Sequence, residues 1–237
     1  KVIPMELGGG FGAKLRLAFE AFPALLSFRT GRPVKLINSR EEVFTLNGPR
    51  LPVTNYLKTG VNNNGTIVAR EAYSIFDVGA YLGAGPNSGV GHGLGAYNIP
   101  NFRLRSFGVY TNKIYVGSYR ASGVADMTFA VESHTDSIAR QMGSDPWEFR
   151  MQNAIKEGDI SVSGARMPKN GLLETLQAIK DNFGLPKKLS EDRGVGIAVC
   201  EWRSGSGPST ASISVNEDGT VSLLTGSVDI SLSLIHI

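Results

Sequence analysis

The chain has 237 residues, 41% hydrophobic and 19% charged, a balance ordinary for a soluble globular protein. Net charge is +3, but the lysines and arginines are scattered; without a basic stripe carrying interleaved aromatics, nucleic acid is not expected as a partner. The single cysteine, Cys200, excludes an internal disulfide and is expected to be a buried small residue, and no apolar run is long enough to span a membrane.

An apolar run at 2–7 reads as a strand and leads into Gly8-Gly9-Gly10-Phe11-Gly12-Ala13-Lys14. Glycines at such a turn let backbone N–H groups approach a ligand, and a helix start beyond them suits an anion. The loop is not a P-loop: Ala13 precedes Lys14, and Leu15 stands where Ser or Thr would hold magnesium. Gly8, Gly10 and Ala13 fit a loose dinucleotide pattern, though Asn38 stands where that pattern wants an acid. A plain structural turn is the third reading.

Residues 15–29 show helical spacing with a wide apolar face, interrupted by Pro23 and closed by Gly31. Val34–Ile37 reads as a short strand, and Ser39 with Glu42 as a capping box. Antiparallel sheet follows, with 53–61 and 66–77 flanking Asn62-Asn63-Asn64-Gly65. The glycine-rich stretch 79–95 reads as a loop, and 102–110 as a further strand.

Residues 127–142 form the cleanest amphipathic pattern, with Glu132 and Asp136 expected to point away from the core. Asp145-Pro146-Trp147-Glu148 opens another helix, with Asp as cap, Pro at the first position and Glu closing a box. A third helix is expected over 172–183, then a polar linker, then strands at 194–202, 211–215 and 221–225. Both ends read as cut, so the chain is expected to be a piece of a longer one.

Arg120 lies at a strand–turn–helix entry, where a guanidinium could fork onto a phosphate or a polarised oxygen, or could simply be a surface or ion-paired arginine. Asp77 ends a strand and is expected to order a loop through backbone N–H groups. His92 reads as incidental. No Ser–His–Asp set and no metal-ligand cluster can be assembled.

In order, the glycine motif 8–14, Gly31-Arg32-Pro33-Val34-Lys35, Ser39-Arg40-Glu41-Glu42, Asp77-Val78-Gly79-Ala80-Tyr81, Tyr97-Asn98-Ile99-Pro100-Asn101, Tyr110-Thr111-Asn112-Lys113, Tyr119-Arg120, Asp145-Pro146 and Asn153 through Asp159 resemble a known family. It is that of the molybdopterin-binding large subunits of xanthine dehydrogenase, aldehyde oxidase and carbon monoxide dehydrogenase. The resemblance runs to about Ile230. It implies an α+β fold, a mixed sheet with hairpins and packed helices. A first molybdopterin-binding domain would cover 1–185 and a linker 186–193. The opening strands of a second such domain would occupy 194–230, and a non-native tail 231–237.

The resemblance also implies a molybdenum hydroxylase that oxidises an aldehyde, N-heterocycle or similar small molecule, with water as the oxygen source. Its cofactor would be molybdopterin, as the cytosine dinucleotide, carrying Mo. Iron–sulfur clusters and FAD would sit on partner subunits or domains, in a hetero-oligomer such as a dimer of heterotrimers, cytoplasmic or, as the alternative, periplasmic. Gly9, Gly10, Phe11 and Gly12 would line the cofactor, and Arg120 would approach the molybdenum centre and the substrate. Leu15 where purine hydroxylases carry glutamate, and Asp126 in place of a glutamine contact, argue against a purine substrate. A dinucleotide-binding oxidoreductase and a non-catalytic subunit-binding homologue are the alternatives.

Overall fold

The computed structural model describes residues 9–15, 19–81, 91–183, 190–201 and 208–226. The expected strand at 2–7, the middle of the glycine-rich loop, most of the linker and the tail at 231–237 lie outside these. Along the described residues the elements run α1 (Ala21–Thr30), α2 (Arg40–Leu46), β1 (Val53–Val61), β2 (Ile67–Gly79), β3 (Asn101–Tyr110), α3 (Val124–Gln141), α4 (Pro146–Asn153), α5 (Leu172–Phe183), β4 (Ala211–Val215) and β5 (Val221–Thr225). The fold is α+β. The chain divides into two units, Asn38–Glu201 and Lys1–Ile37 with Trp202–Ile237.

The larger unit is built on a three-stranded sheet, β1-β2-β3. The hairpin forms where Asn-Gly signalled it: the Gly65 N–H donates to the Asn62 carbonyl at 2.9 Å with Gly65 at φ +86°, and β2 returns antiparallel with Tyr56 opposite Tyr73. β3 pairs with β2 in parallel, Ala69 opposite Asn101, so the sheet is the mixed one that the resemblance implied. A parallel neighbour needs a long crossover, and residues 80–100 supply it.

Side chains alternate across the sheet, and β2 buries Arg70, Ala72, Ser74, Phe76 and Val78 on one face. Two apolar clusters form. One joins Ile67, Leu94, Tyr97, Val131, Trp147, Phe149 and Leu176. The other, at the far end of β2, joins Leu51, Phe76, Val78, Val116 and Met127. Burying each such side chain contributes about 1.5–3 kcal/mol.

Glu132 corrects the amphipathic reading of α3. It is buried, not solvent-facing: its Oε1 accepts from the Tyr97 hydroxyl at 2.7 Å, and its Oε2 from Arg150 Nε and the Val199 N–H, both at 2.9 Å. Arg150, fully buried, also lies 2.7 Å from Asp136. Three segments that approach one another only after folding meet on this carboxylate. Burial first, and the Glu132 carboxylate second, push the Tyr97 phenol above its ordinary range, so it stays a donor.

Asp145 caps α4 as expected, accepting from the Trp147 and Glu148 N–H groups, with Pro146 at the first helical position. Glu148 does not close a box; it pairs with Lys180 of α5 at 2.9 Å. Asn153 at the end of α4 clips the hairpin, accepting from the Ile67 N–H and donating to the Gly65 carbonyl. The Ser39–Glu42 capping box on α2 is present in both directions. Val34–Ile37 and residues 194–201 form no strand. Cys200 is exposed, 3.4 Å from the Thr128 hydroxyl, contrary to the expectation of burial.

In the smaller unit, α1 begins at Ala21, later than the periodicity suggested, and buries none of its residues. Pro23 therefore falls in the first turn, where its missing N–H costs no helical bond and bends nothing. Gly31 ends the helix at φ +63°, its N–H on the Ser27 carbonyl. β4 and β5 pair as an antiparallel hairpin around Gly219.

Candidate functional site

The glycine motif folds as consecutive tight turns. The Ala13 N–H donates to the Gly10 carbonyl at 2.9 Å and the Leu15 N–H to the Gly12 carbonyl at 3.3 Å. Gly9 and Gly12 take φ +87° and +103°, a region L side chains rarely adopt, and Phe11 between them is held at φ +50° with its ring half exposed. A Cβ on Gly9 would come within 3.0 Å of the Phe11 ring. The expected helix start at Leu15 is not found: α1 opens at Ala21, so this segment offers turn amides rather than the end of a helix. That removes the strand–glycine turn–helix geometry on which the dinucleotide reading depended.

Arg120 sits in the larger unit, on the turn that leads from residue 119 into α3. Ala121 has φ +63°; it and Phe11 are the non-glycine residues with positive φ among those described. Such a conformation costs of order 1–3 kcal/mol and persists where the surroundings over-determine it. The surroundings here are explicit. Ser122 Oγ accepts from the Tyr119 N–H, the Val124 N–H returns to the Ala121 carbonyl, and Asp126 accepts from the Gly123 N–H at 3.2 Å. Asp126, in place of the glutamine contact the resemblance anticipates, thus caps α3. It also lies 3.4 Å from Arg50.

The Arg120 side chain is exposed, and no hydrogen bond or ion pair to a described residue engages its guanidinium. Of the two structural alternatives, the described residues leave Arg120 a surface arginine rather than an ion-paired one. The nearby acid, Asp126, is committed to Gly123 and Arg50.

Asp77 plays the structural part expected of it. Its Oδ1 accepts from the Gly79 N–H at 3.1 Å and the Thr111 hydroxyl at 2.6 Å, and its Oδ2 from the Lys113 ammonium. Lys113 first, then Thr111, hold its carboxyl down at about 2. Sequence reasoning missed Arg50 and Glu132; neither stands in a motif, and their partners lie 69 or more and 18 or more residues away. No group of three or more His, Cys, Asp or Glu side chains that could hold a metal ion occurs among the described residues.

The glycine turns lie in the smaller unit and the Arg120 turn in the larger. The molybdopterin cofactor-binding domain family matches residues 1–154. The chain belongs to that family, within the xanthine dehydrogenase-type molybdenum oxidoreductases. It is 34% identical over 216 residues to a probable xanthine dehydrogenase subunit of Bacillus subtilis, covering 87% of this chain and 29% of that one. It is 33% identical to a xanthine dehydrogenase molybdenum-binding subunit of Escherichia coli O157:H7, covering 97% of this chain and 33% of the other. Among solved structures, aldehyde oxidoreductase from Desulfovibrio gigas superposes with a TM-score of 0.81 at 29% identity, covering 92% of this chain and 25% of that one. Quinoline 2-oxidoreductase from Pseudomonas putida 86 gives 0.85 at 26%, covering 95% and 33%. The chain thus spans a third or less of the length of these relatives.

Proposed function

We propose that this chain is the molybdopterin-binding part of a molybdenum hydroxylase large subunit, and that the whole enzyme oxidises an aldehyde or an N-heterocycle. The relatives named for nicotinate, aldehyde and quinoline chemistry support that substrate range. The bound molybdopterin, as the cytosine dinucleotide, would supply oxygen transfer from water and the first acceptance of electrons. Iron–sulfur and FAD subunits would carry the electrons onward in a cytoplasmic hetero-oligomer, a reading supported by relatives named as subunits.

The residues of this chain divide the remaining work. The backbone of Gly9, Gly10 and Gly12 hydrogen-bonds the cofactor, which the absence of Cβ atoms permits. Phe11 presents an apolar face beside it. Arg120 holds a fixed positive charge where oxygen charge develops on the substrate, the kind of preorganised stabilisation whose removal typically lowers turnover 10²–10³-fold, roughly. The observation that carries this reading is the exposed Arg120 guanidinium, free of described protein partners, on a turn held by Arg50, Ser122 and Asp126.

The test is the full-length enzyme purified with its partner subunits. Stoichiometric molybdenum, incorporation of oxygen from isotopically labelled water into product, and a kcat loss of a hundredfold or more in Arg120→Met are expected. Metal-free protein, or Arg120→Met with wild-type turnover, would overturn it.

A further inference from the structure

Arg50 stands outside every motif in the sequence, yet it is the residue on which the Arg120 turn rests. Its Nη2 donates to the Arg120 main-chain carbonyl at 2.8 Å. Its Nη1 lies 3.4 Å from Asp126 Oδ2, the same oxygen that accepts from the Gly123 N–H. Its guanidinium carbon sits 4.8 Å from the centre of the Tyr119 ring. One planar cation therefore touches the residue before Arg120, Arg120 itself and the cap of α3. Arginine suits this because its donors diverge in a rigid plane that can bridge two acceptors while stacking.

Arg50 is itself well held. Gly48 and Gly117 approach so closely that a Cβ on Gly48 would lie 2.5 Å from the Gly117 nitrogen. Leu51, next in sequence, is buried with Val116 and Met127. The Pro52 carbonyl accepts from the Asp77 N–H at 3.0 Å, tying the segment to β2. The guanidinium thus projects from a backbone locked on both sides of it.

The electrostatics fit the same purpose. Asp126 offsets the charge of Arg50, so the cation at the Arg120 carbonyl does not leave two uncompensated positive charges side by side. Arg120 keeps its own charge without a described partner. Arg50 bonds the Arg120 main-chain carbonyl directly ahead of the left-handed Ala121.

We infer that Arg50 is a positioning residue for Arg120: it locks the strained 119–123 turn so that the Arg120 guanidinium is presented in one orientation. The inference rests on the role proposed for Arg120, but its backbone half is independent of that role.

The experiment compares wild type, Arg50→Met, Arg50→Lys, Arg120→Met and the Arg50→Met/Arg120→Met double variant in the full-length enzyme. Hydrogen–deuterium exchange is read separately for peptides covering 119–126 and α4. Arg50→Met should speed exchange at 119–126 tenfold or more and leave α4 unchanged. Its kcat should fall tenfold or more with little change in KM, and Arg50→Lys should recover part of both effects. In the double variant the kcat loss should be no larger than in Arg120→Met alone, because an unpositioned side chain that is already absent cannot be lost again. Unchanged exchange at 119–126, or losses that multiply in the double variant, would overturn the inference. If Arg50→Met does not accumulate as folded protein, Arg50→Lys decides the same comparisons in the same directions. Wild-type turnover in Arg120→Met would defeat the function proposed for Arg120, and the exchange result would then stand or fall by itself.

Discussion

Arg150 Nε and Glu132 Oε2 lie 2.9 Å apart with both side chains out of solvent, and this pair joins α3 to α4. A second bond runs from Arg150 Nη2 to the Glu132 carbonyl, and a third from Nη1 to the Pro146 carbonyl. Removing one partner of a buried pair leaves an uncompensated charge, at a cost of about 3–5 kcal/mol. Glu132→Gln keeps the shape and removes the charge. It is expected to lower stability by that amount, read as a shift in the urea unfolding midpoint. A shift worth less than about 1 kcal/mol would show that Asp136 alone neutralises Arg150.

Asp77 makes stability depend on pH in the acid range. Its folded-state pKa is about 2 against an ordinary 3.8, so the folded form binds its proton later than the unfolded form. The contribution is therefore complete above about pH 4 and is lost as pH falls from there toward 2. Asp77→Asn should flatten the stability profile across that window, and because Lys113 is largely exposed, added salt should flatten the wild-type profile too. Parallel wild-type and variant profiles between pH 2 and 4 would refute the assignment.

Local chemistry was the part of the fold legible in sequence. The Ser39 box, the Asp145-Pro146 start, the Asn-Gly hairpin and the Gly31 stop each depend on a few neighbouring residues, and each forms. Glu132 was not legible, and the mixed sheet came only from the family resemblance, not from the pattern of β3 itself. A carboxylate on an amphipathic helix reads as solvated unless its partner is known, and that partner is an arginine on the following helix. Strand direction is fixed by the path of a crossover, which alternation within 102–110 does not encode. For the site, the glycine turns and Arg120 could be singled out from residue type and order. What holds Arg120 could not, because Arg50 meets it across 70 residues of intervening chain.

Two glycines in the larger unit separate backbone strain from steric contact. Gly65 has φ +86°, but a Cβ there would meet only the end of the Gln152 side chain, at 3.1 Å. Gly79 has φ +70°, and a Cβ there would lie 2.1 Å from the Ile114 carbonyl oxygen, in a segment bonded to β2 through the Thr111, Ala80 and Val116 N–H groups. Gln152 can rotate away; the Ile114 carbonyl cannot move without breaking that ladder. Gly65→Ala is therefore expected to cost about 1–2 kcal/mol, the ordinary penalty of a left-handed alanine. Gly79→Ala should cost about 3 kcal/mol or more, because strain and backbone displacement add. Chemical unfolding of the two variants under one set of conditions measures the difference. Equal losses would mean that the 111–116 segment yields freely, and the joint between β2 and the approach to the Arg120 turn would then give that turn no rigid support.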